Sequence, residues 1–160
     1  GDFGSAAEEL IAQVGCLPDE IASVIVADAR WIGGTLAQLC SWAPQIDVKL
    51  EIMGASTCRR WHTDTYGGRA IVSYNCSATD YTPQSNVDMW ELENCGNNDC
   101  IIRDKSKIYG VSVGDVLFIK GNLFPGPVNG LVHKSPEKQY HAWGECINRL
   151  VLKLDVPEKS

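Results

Sequence analysis

His62 and Asp64 stand two residues apart in Trp61-His62-Thr63-Asp64, within a run that reads as a β-strand. Alternation along a strand puts both side chains on one face, where an imidazole and a carboxylate can point at a single ion. With 3 histidines and 20 acidic residues in the chain, chance alone supplies about 0.4 such spacings, so the motif needs a further ligand to carry weight. His133 is that candidate, placed after a Gly/Pro-rich connection. His62, Asp64 and His133 then make a 2-His-1-carboxylate set, which holds Fe(II) on one side and leaves three octahedral positions open for substrate and oxygen. The same donors accept Zn(II) or Mn(II), so a cupin-like metal-binding protein without oxygenase activity is the alternative.

Arg149 opens the run Arg149-Leu150-Val151-Leu152-Lys153-Leu154-Asp155. In jelly-roll oxygenases a cation on the last strand pairs with the distal carboxylate of 2-oxoglutarate, which a guanidinium can do with two parallel hydrogen bonds. Alternation groups Arg149 with Val151, Lys153 and Asp155, which is also the pattern of a solvent-facing arginine, and Lys120 is the reserve anchor. Blander readings stand beside these. His62 and His133 can be hydrogen-bonded sandwich residues without a metal, and His141, between Tyr140 and Trp143, reads as a surface residue. Lys134 and Arg60 read as solvated rim charges, and Cys58, although followed by two arginines, has no evident base partner.

The elements that must position these groups change character along the chain. Ser5 and Glu8 have capping-box spacing ahead of Leu10, Ile11 and Val14, and Gly15 is placed to stop that helix. Pro18, Asp19 and Glu20 start a second helix, with Ile21, Val24, Ile25, Ile32, Leu36 and Leu39 near helical spacing and Pro44 beyond its end. Gly33 and Gly34 each cost a helix about 1 kcal/mol relative to Ala and predict a break or kink. From residue 46 the pattern becomes strands at 46–53, 60–66, 70–76, 87–92, 116–120 and 147–156, separated by Gly-, Asn-, Pro- and Ser-containing turns. No helix-length segment lies between them to support parallel crossovers. The expected fold is mainly β with N-terminal helices: 1–45 helical and 46–156 a double-stranded β-helix (jelly roll, cupin-like), in a single domain of 160 residues.

Composition narrows the partners. Apolar residues make up 44% and charged residues 21%, the balance of a globular chain. A net charge of -6 is opposite in sign to the footprint of a nucleic-acid binder. No apolar run approaches the roughly 18 residues of a membrane span. A soluble protein acting on a small molecule or a protein is expected, and a non-catalytic subunit of a larger complex, docking through its helical third, is the reading from a different class. Seven cysteines match no compact disulfide scaffold; Cys95 and Cys100 flank Gly-Asn-Asn-Asp, a turn that would let them pair, and no second close pair completes a zinc site. Opening on Gly1 rather than Met, the sequence is consistent with a removed targeting peptide and leaves the compartment open between cytoplasm and an organellar lumen.

Four segments in order also resemble a family. Cys58-Arg59-Arg60-Trp61-His62-Thr63-Asp64, Val113-Gly114-Asp115-Val116-Leu117-Phe118-Ile119-Lys120-Gly121, His133-Lys134-Ser135-Pro136 and Arg149 to Asp155 are similar to the motifs of a bacterial and algal family called domain of unknown function eighteen-twenty-six. The resemblance covers roughly Asp47 to Asp155. It implies no activity by itself. One departure stands out: where that family carries a Tyr and a Gly-Pro-Gly-Thr-type turn, this chain has Tyr74-Asn75-Cys76-Ser77-Ala78-Thr79, which puts the shape of the pocket in question while leaving the three ligands in place.

Overall fold

The computed structural model describes residues 2–55, 57–127 and 129–158. Two helices come first, α1 (Phe3–Val14) and α2 (Asp19–Leu39). After them run β1 (Asp47–Met53), β2 (Gly68–Ser73), β3 (Asp80–Thr82), α3 (Met89–Asn94), α4 (Asn98–Ile101), β4 (Tyr109–Gly110), β5 (Val116–Lys120), β6 (Val132–Lys134) and β7 (Arg149–Val156). Among the described residues all strand pairs are antiparallel, in a four-stranded sheet of order β1-β7-β2-β5 and a three-stranded sheet of order β4-β3-β6. Among the described residues no helix is long and apolar enough to cross a membrane.

The helical layer covers one face of the four-stranded sheet. Ile25, Ala29, Ile32 and Leu36 form one stripe of α2 and pack with Ala70, Val72, Leu152, Leu154 and Val156. Each Leu, Ile or Val buried this way contributes about 1.5–3 kcal/mol. Ile21, Val24 and Leu39, expected on the same stripe, are exposed. Helix α1 begins earlier than the capping box predicts, because the Asp2 carboxylate accepts from the Gly4 amide at 2.9 Å and the Ser5 hydroxyl at 3.0 Å and becomes the N-cap. Gly15 ends it in the left-handed region at φ 73°, as expected.

Helix α2 runs through Gly33 and Gly34 without the expected break. A Cβ on Gly33 would overlap the Phe3 ring of α1, whereas one on Gly34 would meet nothing within 4 Å. The first glycine lets the two helices approach closely; the second is free of that constraint. Gly33→Ala is therefore expected to destabilise the fold, since overpacking costs about 1–3 kcal/mol and the gain in helix propensity returns only about 1. Gly34→Ala should stabilise by about 0.5–1 kcal/mol. Urea denaturation of both variants checks the pair, and equal effects at the two positions would refute the close-approach reading.

The β-region departs from the sequence pattern at several points. Residues 60–66 do not form a regular strand: His62 alone pairs with His133, through two backbone bonds of 3.0 Å. The Asp64 and Tyr66 carbonyls instead accept from the amides of Asn122 (2.9 Å) and Leu123 (3.2 Å), so the connection after β5 takes the place of a partner strand. The segment expected as a strand at 87–92 contains helix α3, capped by the Asp88 carboxylate accepting from the Glu91 amide at 3.1 Å. Its apolar residues Met89 and Leu92 pack on Trp61, Val87, Ile101, Ile102 and Val132. Cys95 and Cys100 are free, because the turn between them joins α3 to α4 rather than closing a hairpin.

Candidate metal centre

The second face of the four-stranded sheet carries the charged groups. Register places Arg149, Val151, Lys153 and Asp155 of β7 on it, with Arg69 and Ile71 of β2 and Lys49, Glu51 and Met53 of β1. β6 belongs to the other sheet, and its His133 is tied to His62 by the backbone bridge. Asp64 follows two residues later, 7% exposed. The sequence-predicted ligands are thus brought together by one bridge between two extended segments.

Each imidazole is oriented from behind. The Nδ1 of His62 lies 2.8 Å from the Arg60 carbonyl and that of His133 lies 3.0 Å from the Leu131 carbonyl. A carbonyl only accepts, so Nδ1 carries the proton and Nε2 presents its lone pair forward. From Nε2 of His62 to Oδ1 of Asp64 is 3.8 Å, and from Nε2 of His133 to Oδ2 of Asp64 is 3.6 Å. One ligand atom from each of the three residues lies within 4.8 Å of the others. An ion bound at about 2.0–2.2 Å needs separations of roughly 3.0–3.5 Å, a contraction of tenths of an ångström to about one ångström. Burial pushes the His133 imidazole below its ordinary value against the attraction of Asp64, which keeps it neutral and able to ligate.

His62 lines two spaces. One is a cavity of about 150 Å³ lined by His62, His133, Arg69, Lys134, Ser135 and Arg149, among others. The other is an open groove of about 580 Å³, lined by Trp61, Thr63, Met89, Leu92 and Asn122 together with His62. Arg149 reaches the small cavity and is not the solvent-facing arginine that alternation allowed; it is 5% exposed. Lys120 is not brought there. It pairs with Gly68 on the helix-covered face and holds its Nζ 5.4 Å from the Phe124 ring centroid.

Several groups of the site escape a reading by residue type. Lys134, expected on the rim, is 7% exposed, with its Nζ 3.0 Å from Asp80 and 3.2 Å from Glu137 and 5.5 Å from the Trp61 ring centroid. Arg69 donates from Nη1 to Asp64 at 2.9 Å and from Nε to Asp155 at 2.6 Å. The signal that could have found Arg69 is its parity with Ile71, opposite the small helix-facing Ala70. The segment that departs from the resembled family's turn contributes Thr79 to the cavity wall.

Residues 3–155 match the family described as "Protein of unknown function (DUF1826)". The chain belongs to that family. The DUF1826 match begins at the start of α1, so it takes in the helical layer as well as the segments that carry the four motifs. The His62, Asp64 and His133 cluster is compatible with the H-x-D and His pattern of those motifs. No curated protein and no solved structure matches the chain.

Proposed function

We propose that this protein is an Fe(II)- and 2-oxoglutarate-dependent oxygenase built on a double-stranded β-helix. The observation that carries the reading is Arg149. Its neighbours in the cavity have anions: Lys134 has Asp80 and Glu137, Lys153 has Glu51 at 2.6 Å, and Arg69 has Asp64 and Asp155. Arg149 has Ser135 Oγ at 3.2 Å and Met53 Sδ at 3.8 Å, while the Cys76 thiol and then Asp80 act on it only at longer range. A buried guanidinium that, among the described residues, has no carboxylate in ion-pair range and stands beside a cluster of metal-ligand type is suited to an anionic ligand that reaches both.

The strand pairing supports the fold part of the proposal. Counting the His62 bridge as a strand, the first pairs with the last (β1 with β7), the second with the seventh (the His62 segment with β6), the third with the sixth (β2 with β5) and the fourth with the fifth (β3 with β4). This order is what one long antiparallel ribbon folded over on itself would give, and it supports the jelly-roll reading.

In this reading His62, Asp64 and His133 hold iron, and Arg149 with Ser135 takes the distal carboxylate of the cosubstrate. Bound iron and 2-oxoglutarate would supply oxygen activation. The chain's part is to orient both imidazoles through their Nδ1 protons, to bury the cosubstrate in the small cavity and to leave the larger groove that His62 also lines for substrate. Anaerobic metal analysis followed by a succinate assay tests this. Arg149→Met should keep the metal and weaken 2-oxoglutarate binding by about 30-fold or more, the effect of about 2–5 kcal/mol for a buried charge partner. Retained zinc or manganese, without 2-oxoglutarate binding or turnover, would support the cupin-like alternative instead.

A further inference from the structure

We infer that Arg69 is a positioning residue that makes Asp64 a one-oxygen metal ligand and so keeps a coordination position open. The inference rests on the metal reading of the site and goes beyond it. Arg69 leaves β2 beside the cluster and bridges two carboxylates, Asp64 Oδ2 at 2.9 Å and Asp155 Oδ1 at 2.6 Å. Asp155 is 0% exposed and is held on its other oxygen by Lys49 Nζ at 2.8 Å, so this end of the bridge is anchored in the sheet. The guanidinium carbon Cζ also lies 4.6 Å from the Tyr66 ring centroid, over the ring, which restricts its swing. Two directed donors and the ring beneath fix the fork, and the fork fixes Asp64.

The consequence is geometric. Oδ2 accepts from Arg69 and also lies 3.6 Å from Nε2 of His133, whereas Oδ1, 3.8 Å from Nε2 of His62, is not held by Arg69 and is the oxygen assigned to the ion. A carboxylate released from this hold is free to bind through both oxygens, as carboxylates do on divalent ions. That would occupy one of the three positions that the set of two imidazoles and one carboxylate otherwise leaves open. Removing Arg69 has opposed effects on affinity, because a cation beside a dication repels it while loss of orientation weakens binding. Coordination number is the quantity that separates this role from a purely structural one.

The test uses the full chain loaded with Co(II). In the wild-type protein, the infrared difference spectrum on metal binding should show the wide splitting between antisymmetric and symmetric carboxylate stretches that marks one-oxygen ligation. In Arg69→Gln, the splitting should narrow and the cobalt d–d absorption should lose intensity as coordination number rises. Arg69→Lys, if it still reaches Asp64, should move both signals back toward wild type. A narrow splitting in the wild-type protein overturns the inference, and so does an Arg69→Gln spectrum superimposable on wild type with cobalt bound. The wild-type infrared measurement decides even where the variants do not fold. Absence of cobalt uptake by the wild-type chain overturns the metal reading itself, which distinguishes that failure from this one.

Discussion

Asp64→Ala is expected to weaken divalent-metal binding by more than about 100-fold while leaving the chain folded, because loss of an outer-shell partner alone costs about 10- to 100-fold and this residue is a direct donor. Two neutral imidazoles would remain without an anion to offset the charge of the ion. The fold should tolerate the change because Arg69, the partner of Asp64, keeps its 2.6 Å bond to Asp155 and no buried cation is stranded. The stability loss should stay within about 1–3 kcal/mol, the range for one lost buried polar contact. Calorimetric titration with Co(II) beside a thermal melt separates the two effects. Unchanged affinity would remove Asp64 from the ligand set, and the proposed centre with it.

Asp155→Ala should have the largest effect on stability, about 3–5 kcal/mol, since removal of one member of a buried ion network leaves uncompensated charge behind. Asp155 is wholly buried on β7 and accepts from Arg69 and Lys49 across both neighbouring strands. Burial alone would raise its carboxyl pKa, but the hydrogen bonds and charges of those two cations outweigh it and hold the group below the ordinary value. A pKa depressed on folding means that the contribution is fully present at neutral pH, and is lost as pH falls below about 4 toward the folded value. Urea denaturation at pH 7 should therefore show the full loss in the variant. The gap between wild type and variant should narrow in acid, and a gap independent of pH would contradict the assignment.

Much of the candidate site is legible from residue types and order. His62, Asp64 and His133 offer the donor atoms of a metal set, and Arg149 stands on the last strand where an anion anchor was expected. Helices α1 and α2 and strands β1, β5 and β7 follow from periodicity because each is long enough to show one, or short but flanked by turn residues. Strands β3, β4 and β6 have two or three residues, too few for any period to register. Helix α3 was misread because its Met, Trp and Leu also suit a strand, and the deciding feature was the Asp88 cap with Glu91 in the first turn.

Which face each side chain meets was decided by tertiary structure alone. Alternation sorts Arg149, Lys153 and Asp155 from Leu150, Leu152 and Leu154, but it does not say whether either side is open to water. β7 lies between β1 and β2, with helices against its leucine row and the cavity against its charged row. A row that would face solvent on an open sheet is thereby turned inward, where its charges must find partners. Lys120 shows the same logic in reverse: one residue from Ile119, which lines the cavity, it points to the other side of the sheet. The residues and their parity are local properties of the chain, while the covering of both faces depends on contacts between segments far apart in sequence, which no local pattern encodes.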